Sequence, residues 1–304
     1  MVWAAHPWRP ALWRRDFAKT LAGSVQGAVG ETRSRGSGVG SRYPHGRNGQ
    51  RRNRKYTMSE LYREFTFDGA DDHAPRAILS LINAGDMKYS SDFESEARLA
   101  FFKTLSIDPE RVAGIELRHS RNVALVDSLE ELSTLMSSNP AGFDGIVTRN
   151  RRLVPSVTVA DCMPIWIYCS HCGAFGILHS GWKGTGILAE AAHAMERAYG
   201  CKPGDMHIIL GPAIGACCYR VERERAGLFS GEFGSEAVRV EQNDRGKAFF
   251  LDMRAANLHI ARRLGIRNVT NIDACTACSE RYGSYRRQGS HHFTRMLALC
   301  ISRE

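Results

Sequence analysis

Two short apolar segments, a glycine-rich turn and an amphipathic helix follow one another within residues 157–198. The segments 164–168 and 174–179 are rich in β-branched and aromatic residues, a composition typical of buried strands. After the turn 181–186, apolar residues recur at helical spacing on one face of a predicted helix. This succession predicts a fold that mixes sheets with helices. It also predicts function at the strand ends and at the glycine turn, where a rigid scaffold presents reactive groups.

Similar patterns extend through residues 58–304. Ser128, with Glu131 three positions later, forms a capping box at the start of a helix. Residues 115–119 and 123–126 surround a turn and predict a hairpin or a bulged strand. No internal repeat or linker divides the region, so we predict one α+β domain with mixed β-sheets flanked by helices. Further strands are predicted at 63–67, 77–82, 206–210, 269–272 and 296–301, and helices at 93–105, 128–136 and 252–264.

Residues 1–57 differ in composition from the rest of the chain. They hold 12 Lys or Arg and two acidic residues, whereas residues 58–304 hold 29 basic and 30 acidic side chains. The net charge of +9 therefore lies in this N-terminal region, which we predict to be a basic disordered extension. Three interpretations stay open: a targeting peptide, a nucleic-acid-binding arm, or a segment outside the natural product with Met58 as the true start. No nucleic-acid partner is expected for residues 58–304.

Membrane and disulfide-rich classes are not favoured by the composition. No apolar run reaches the roughly 18 residues that a membrane helix requires, so we expect a soluble chain without a membrane partner. The nine cysteines are odd in number, and several lie within apolar segments that resemble strands. This usage favours reduced thiols or metal ligands over a disulfide framework and predicts a cytoplasmic location.

Three polar side chains, His119, Cys162 and His179, stand at the ends of predicted elements. Two imidazoles and one thiolate suit zinc, and three protein ligands leave a fourth position for water, as in catalytic zinc sites. Their spacings of 43 and 17 residues match no short metal motif. A buried cysteine with two capping histidines therefore remains an alternative.

Two Cys-x-x-Cys pairs, Cys169–Cys172 and Cys275–Cys278, are more familiar metal candidates. About a hundred residues separate the pairs, whereas a zinc ribbon places its pairs about 15–20 residues apart. A thioredoxin-like site requires its pair at the start of a helix, whereas the first pair falls in a turn between two strands. We interpret that pair as incidental, and an accidental surface zinc or redox pair stays open.

The turn from Gly181 to Gly186 combines glycines, Lys183 and Thr185 with the start of a helix. Backbone amides at such a position favour an anion. The order of residues is not that of a Walker loop. A tight strand-to-helix turn with a solvated lysine is an equally good interpretation of this loop alone.

Several segments in series resemble one family. Thr158-Val-Ala-Asp-Cys-Met-Pro164, His179-Ser-Gly-Trp-Lys-Gly184 and residues 211–219 are similar to signatures of the YfiH-type, or laccase-domain, proteins. This polyphenol oxidoreductase-like, FAMIN-type family includes purine nucleoside phosphorylases. Residues 143–148, 273–276 and 284–287 also match, in the family's order. The resemblance implies a YfiH-like catalytic domain over residues 58–304.

Function and site residues follow from the resemblance alone. It implies zinc-dependent phosphorolysis of adenosine, inosine or methylthioadenosine to base and ribose 1-phosphate, together with deamination of adenosine. It implies one zinc ion bound by His119, Cys162 and His179 beside a pocket for a purine nucleoside and phosphate. Catalytic roles fall to Cys162, Asp161 and His119. Asp161 would act as an acid or base, and a carboxylate that caps a loop is an equally good interpretation of this residue. Substrate and phosphate binding fall to Arg98, Lys183, Gly181 and Gly184.

Three other functions compete with this interpretation. The family's older name suggests a copper-dependent laccase, but multicopper laccases need about ten histidine ligands, mostly in His-x-His pairs. This chain has 11 histidines and no such pair. A hydrolase that edits peptidoglycan precursors, and a non-enzymatic zinc-binding scaffold, also remain as alternatives.

Overall fold

Strand β7 (Met163–Cys169) lies at the centre of the fold, and all seven of its side chains are buried. The computed structural model describes residues 60–90, 95–244 and 246–303, and the predicted N-terminal extension lies outside these ranges. Strand β7 pairs with an antiparallel neighbour on each side, β8 (Phe175–Ser180) and β9 (Met206–Leu210). A strand that is covered on both faces accounts for the continuous apolar sequence.

These three strands belong to a six-stranded mixed sheet. Its margins are parallel pairs: β13 (Asn268–Asn271) runs beside β9, and β4 (Val123–Leu125) runs beside β5 (Gly145–Thr148). The carboxyl ends of β9 and β13 therefore lie side by side. The strand order across the sheet is β13, β9, β7, β8, β5 and β4.

A second, five-stranded sheet packs on one face of the first. Alternate residues of β7, Trp166 and Tyr168, share a buried apolar cluster with Val157 and Phe65 of the second sheet. The indole N–H of Trp166 donates to the carbonyl oxygen of Leu299 at 2.8 Å and so joins the two sheets. The strand order is β1 (Tyr62–Phe65), β2 (Arg76–Ser80), β14 (Met296–Ile301), β6 (Val154–Val159) and β3 (Val112–Ala113).

Helices cover the outer faces of the two sheets. Helix α1 (Glu96–Thr104) packs on the five-stranded sheet, where Phe101 and Phe102 meet Ile78. Helices α3 (Ile187–Tyr199), α4 (Arg223–Phe233) and α5 (Met253–Leu264) contribute buried residues to the cluster on the six-stranded sheet.

The remaining elements lie at the periphery. They are helices α2 (Leu129–Ser138) and α6 (Tyr285–Gln288), the small antiparallel sheet of β10 (Arg220–Val221), β12 (Gly246–Leu251) and β11 (Val238–Asn243), and 3-10 turns at Ile82–Ala84, Pro109–Arg111, Pro203–Asp205 and Ser235–Ala237.

The predicted α+β class with mixed sheets and flanking helices is confirmed, and so are the strands at 206–210 and 296–301. The Ser128 hydroxyl caps helix α2 by accepting from the N–H of Glu131 at 3.1 Å, as the capping box predicts. The predicted hairpin of 115–119 with 123–126 is wrong. Residues 115–119 form no strand, and β4 pairs in parallel with β5 instead.

Several elements were not predicted from the sequence. Strands β3 and β6, the small sheet and helices α4 and α6 are among them, because their segments are short or carry many polar residues. The start of the predicted helix 93–105 lies partly outside the described residues, and the helix itself begins at Glu96.

Candidate metal and substrate site

The antiparallel pairing of β7 with β8 brings Cys162 beside His179. Cys162 immediately precedes β7, and His179 pairs with Pro164 near the end of β8. Gly181 lies opposite, and a Cβ at this position would stand 2.9 Å from the Cys162 sulfur and 3.2 Å from Cδ2 of His119. Glycine is therefore required here by the close approach of two candidate ligands.

His119 reaches the same place from the loop between β3 and β4. Its backbone is left-handed, with φ of 57°. The loop is held by Asp144, whose carboxylate accepts the N–H of His119 at 2.9 Å and that of Ser120 at 2.7 Å. The N–H of Arg118 adds a third bond at 3.2 Å. Three successive amides thus fold around one buried carboxylate.

The donor atoms of His119, Cys162 and His179 all lie within 4.8 Å of one another. The two imidazole rings meet edge to face, with centroids 5.0 Å apart. His179 is buried, Cys162 half-buried and His119 exposed. Two imidazole nitrogens and a sulfur that converge in this way are a donor set that zinc prefers, and the exposed side leaves room for a further ligand.

Asp144 also orients His179. One carboxylate oxygen lies 2.9 Å from Nδ1 of the ring, and Asp144 is fully buried. A carboxylate accepts only, so Nδ1 carries a hydrogen and Nε2 is the nitrogen left to bind a metal, in place of a proton. Asp144 lies within the segment 143–148 that matches the family, but no role was predicted for it. An aspartate directly before an apolar strand was the available signal.

The charges of the cluster are coupled. Burial opposes ionisation of the Cys162 thiol, but the His179 and His119 imidazoles outweigh it and lower its pKa to about 6. Burial likewise disfavours the charged form of His179, yet Cys162 and Asp144 raise the pKa of its imidazole to about 9. Burial opposes the charged form of Asp144, but bonds from His179 and Ser120 lower the pKa of that carboxyl. Cys162 is therefore held as a thiolate, the form of cysteine that binds metals.

The cluster forms part of the wall of a cavity of about 540 Å³. Its lining is mainly apolar and aromatic, with a few charged groups, as in most small-molecule sites. The aromatic residues on the wall are Trp182, Tyr219, Tyr285 and Phe293, and the arginines are Arg225, Arg286 and Arg295.

The three arginines are held differently, and none of them was predicted from the sequence. Arg225, on helix α4, stacks its guanidinium over the Trp182 ring at 4.6 Å. Among the residues that the structure describes, no carboxylate forms a salt bridge with Arg225. Arg286 donates to the carbonyl oxygen of Cys218 at 2.7 Å, and Arg295 pairs with Asp86 at 2.9 Å. Arg225 is therefore the best placed of the three to bind an anion.

Asp161 lines the cavity, but both of its carboxylate oxygens already accept hydrogen bonds. Thr276 donates its hydroxyl at 2.6 Å, and Arg286 donates its backbone N–H at 2.6 Å. Its backbone is left-handed, with φ of 82°. These contacts fit the interpretation of Asp161 as a carboxylate that anchors loops, rather than as an acid or base.

Arg98 lies elsewhere. It is 1% exposed on helix α1, with NH1 3.5 Å from the carbonyl oxygen of Met87 and its guanidinium beside Tyr89 and Phe102. It is not among the residues that line the described cavity. The predicted contact between Arg98 and phosphate therefore has no support in the position of this side chain.

The glycine turn after β8 is a tight strand-to-helix connection. The N–H and hydroxyl of Thr185 both donate to the carbonyl oxygen of Gly181, at 2.6 and 2.8 Å. Gly184 packs closely too, since a Cβ there would lie 3.0 Å from the Ser120 carbonyl oxygen. Lys183 is exposed, with Nζ 5.6 Å from the centre of the Trp182 ring. Lys183, Gly181 and Gly184 are not among the residues that line the cavity, and the turn itself is closed by internal bonds.

Comparison with known proteins supplies the family. The family model described as "Multi-copper polyphenol oxidoreductase laccase" matches residues 85–303. The chain belongs to this family. The match includes every residue of the His/Cys cluster and of the cavity wall.

Curated relatives carry related names. The mouse protein "Purine nucleoside phosphorylase LACC1" is 33% identical over 179 residues, which are 56% of this chain and 41% of that protein. "Purine nucleoside phosphorylase YlmD" of Geobacillus stearothermophilus is 25% identical over 79% of this chain and 89% of its own length. "Adenosine deaminase RL5", from an unknown prokaryotic organism, is 29% identical over 64% of this chain and 76% of its own length. The chain spans less than half of the mouse relative and 44% of the human protein of the same name.

Solved structures share the fold. The crystal structure of YlmD from Geobacillus stearothermophilus superposes with a TM-score of 0.65 at 22% identity, over 78% of this chain and 99% of that one. The Bacillus licheniformis protein YfiH gives a TM-score of 0.63 at 22% identity, over 75% and 93% of the two chains. The architecture is thus that of YfiH and YlmD.

Proposed function

We propose that this protein is a purine nucleoside enzyme that cleaves adenosine, inosine or methylthioadenosine with phosphate and also deaminates adenosine. One observation carries the proposal: the His119–Cys162–His179 cluster opens into a cavity whose wall combines aromatic rings with arginines. The names of the relatives support the same activities.

The cavity suits both parts of the substrate. Aromatic faces such as those of Tyr219 and Trp182 would stack on a flat purine base. Arg225, which is already stacked on Trp182, would bind phosphate through its planar fork of N–H groups. A volume of about 540 Å³ lies within the range of small-molecule sites, about 300–1,000 Å³.

Phosphorolysis needs positioning more than covalent chemistry from the protein. An oxygen of hydrogen phosphate would bond to C1′ of the ribose while the glycosidic bond breaks. The electron pair of that bond would stay with the base, which takes up the proton of the hydrogen phosphate. Arg225 would hold the phosphate, and the aromatic wall would hold the base, so that the reacting atoms meet in a fixed orientation. The Asp161 contacts would keep the loops of Thr276 and Arg286 in place around them.

The residues of the cluster fit a zinc ion. Asp144 binds Nδ1 of His179 and so leaves Nε2 to bind a metal in place of a proton, Cys162 is held as a thiolate, and Gly181 leaves the space between them open. When bound by His119, Cys162 and His179, zinc would supply Lewis acidity and lower the pKa of a coordinated water towards 7, which suits deamination. A single thiolate with two imidazoles also suits copper chemically, which leaves copper as the alternative metal.

The copper oxidase alternative has weaker support from the side chains. Among the described residues, only this cluster brings histidines together as candidate ligands, and the other two candidate clusters contain cysteine alone. A multicopper site requires several histidine-rich positions within reach of one another. We therefore assign the reaction to nucleosides rather than to phenols.

The deciding experiment incubates the full chain with adenosine, inosine and methylthioadenosine, with and without phosphate, and separates the products by chromatography. We expect free base and ribose 1-phosphate only when phosphate is present, and inosine or hypoxanthine from adenosine. Arg225→Gln should raise KM for phosphate more than KM for the nucleoside, with Arg223→Gln on the same helix as the matched control. Oxidation of a phenolic substrate without release of base at any phosphate concentration would refute the proposal.

The location of the protein is proposed on separate grounds. Among the described residues, no helix is long and apolar enough to cross a membrane. We propose a cytoplasmic location, because the thiolate of Cys162 and the cysteine clusters keep their ligand capacity only in a reducing compartment.

A further inference from the structure

Four cysteines form a second cluster in the loops that also carry Ile214 and Tyr219 of the cavity wall. The sulfur atoms of Cys217, Cys218, Cys275 and Cys278 all lie within 4.8 Å of one another. Cys278 stands 3.5 Å from the sulfur of Cys217 and 3.3 Å from that of Cys218. Their spacing in the sequence did not favour joining the two Cys-x-x-Cys pairs in one site, and the fold brings the 275–278 pair to the adjacent cysteines of the 211–219 segment instead.

The topology of the six-stranded sheet explains why these two pairs of cysteines lie close together. Strands β9 and β13 run in parallel, and the loops that follow them continue side by side. Ala213 forms an isolated parallel bridge with Cys275. The N–H of Thr276 donates to the Ala213 carbonyl oxygen at 3.1 Å, and the N–H of Ala213 donates to the Ala274 oxygen at 3.2 Å. The backbone therefore sets the register that places the two cysteine pairs opposite each other.

We propose that these four cysteines bind one structural zinc ion. A tetrahedral zinc site with Zn–S bonds of about 2.3 Å separates its sulfurs by about 3.8 Å. The separations of 3.3 and 3.5 Å lie just below this value, and all four sulfurs lie within 4.8 Å of one another. Four sulfur ligands in a closed tetrahedron are typical of structural zinc rather than of a catalytic site, which keeps one position open.

The surroundings of the sulfurs suit an anionic cluster. Gly215 donates its backbone N–H to the Cys275 sulfur at 3.2 Å. Two arginines bind carbonyl oxygens of the same loop: Arg286 binds that of Cys218 at 2.7 Å, and Arg239 binds that of Ala216 at 2.7 Å. Four thiolates around one Zn²⁺ leave a net charge of about −2, which the guanidinium of Arg286 partly offsets, whereas that of Arg239 is already paired with Glu241.

The third cysteine cluster of the chain provides a contrast. Cys169, Cys172 and Cys201 also lie within 4.8 Å of one another, but among the described residues they have no fourth metal-binding side chain. The separation of the Cys172 and Cys201 sulfurs, 2.9 Å, is also shorter than that expected for two ligands of one zinc. These cysteines therefore serve as internal controls.

A zinc ion at the four-cysteine cluster would fix one wall of the cavity. The two loops that it joins carry Ile214 and Tyr219 on one side and the segment with Arg286 on the other, all of which line the cavity. This inference does not depend on the reaction that we propose, because it predicts metal binding and loop stability rather than turnover.

The test uses the full chain as purified under reducing conditions without added metal. Native protein is treated briefly with an alkylating reagent, before and after removal of metal by a strong chelator, and the modified cysteines are identified by mass spectrometry. Cys217 and Cys278 are exposed in the structure, so as free thiols they would be within reach of the reagent. We expect protection of all four cysteines before chelation, reaction after it, and no such change at Cys172.

Elemental analysis and cobalt substitution give the second measurement. We expect Cys278→Ser to lose one zinc per chain and to lose the intense bands of a cobalt tetrathiolate, whereas Cys172→Ser and Cys162→Ala keep those bands. Rapid alkylation of Cys217 and Cys278 in the untreated protein would overturn the proposal. Cysteines that react only after further reduction would also overturn it, since disulfides would then join the loops. Iron in place of zinc in the elemental analysis would overturn it as well.

Discussion

Asp144 connects the two histidines of the candidate metal site through one carboxylate. It accepts the amides of the loop that carries His119 and also faces Nδ1 of His179. Bonds to a fully buried carboxylate are difficult to replace, because any group left unpaired there keeps its full desolvation cost. The geometry of the ligands is thus set by a residue that does not itself point at the metal.

Replacement of Asp144 by Asn should weaken metal binding more than it weakens the fold. Asparagine has one accepting oxygen where Asp144 has two, so its NH₂ group must face either the His179 ring and the His119 amide or the amides of Arg118 and Ser120. Either orientation loosens a ligand, and zinc affinity should fall about 10- to 100-fold. Competition with a chromogenic chelator measures this affinity. Asp127→Asn is the control, since Asp127 also accepts a backbone N–H but lies outside the cluster. Unchanged zinc affinity in the folded D144N protein would show that Asp144 has a structural role only.

Cys162→Ala should abolish zinc binding at the histidine cluster while the protein stays folded. The thiolate supplies the only negative charge among the three ligands, so its removal takes away most of the affinity. The fold does not depend on this metal, because the cluster sits on a sheet core that is already packed. Elemental analysis and thermal unfolding measure the two effects. Cys300→Ala, a buried cysteine outside all three clusters, should keep its metal, and loss of zinc there instead would contradict the assignment.

At the scale of elements, the sequence predicted those strands and helices that have a clear local pattern of their own. The continuous apolar run of β7 and the capped start of helix α2 both correspond to real elements, because local composition decides them. The loop 115–119 was mistaken for a strand. Its conformation is set by hydrogen bonds to Asp144, about 25 residues away, and local sequence carries no sign of such contacts.

The site shows the same division. The structure brings the three predicted ligands together, because strand pairing places Cys162 and His179 on neighbouring strand ends. Their role as metal ligands remains a prediction. The arginines of the cavity could not be predicted. They come from helix α4 and from the segment around α6, and neither element has a strong pattern of its own.

A side chain at Gly181, in the turn after β8, should disturb the candidate metal ligands. In Gly181→Ala the new methyl group would press on the Cys162 sulfur and on the His119 ring, so the three ligands would move apart. We expect at least a tenfold loss of zinc affinity and of turnover, with a small change in the midpoint of unfolding. Gly204→Ala is the matched control, since a Cβ there would meet nothing within 4 Å. Equal behaviour of the two variants in a zinc titration would exclude a role for close packing.

At the scale of the whole fold, the described residues stack a six-stranded and a five-stranded sheet with helices on both outer faces, and the site lies where loops from one end of this stack meet. The six-stranded sheet supplies Cys162, His179 and, beyond β9 and β13, the loops of the cavity wall. The five-stranded sheet contributes through β6, whose end leads directly into Asp161 and Cys162. A loss of packing between the sheets is therefore expected to disturb the site, although no ligand lies between them.

Removal of residues 1–57 should leave fold, metal content and turnover unchanged. These residues carry 12 basic and two acidic side chains and none of the predicted ligands, and every residue of the cavity wall lies in the part described by the structure. Thermal unfolding, elemental analysis and nucleoside turnover of the shortened chain test this expectation. Loss of most of the turnover would show that the N-terminal region takes part in function.

A longer truncation, of residues 1–81, provides the contrast and should prevent folding. The match to the family begins only at residue 85, yet strands β1 and β2 lie before it. Ala77, Ile78 and Leu79 of β2 are fully buried, and β2 joins β1 to β14 within the five-stranded sheet. Loss of each large buried side chain lowers the free energy of unfolding by about 2–5 kcal/mol. The combined loss is comparable with the total stability of a domain. We therefore expect insoluble or unfolded protein from this construction. A soluble chain with a cooperative thermal transition would show instead that the second sheet can do without its first two strands.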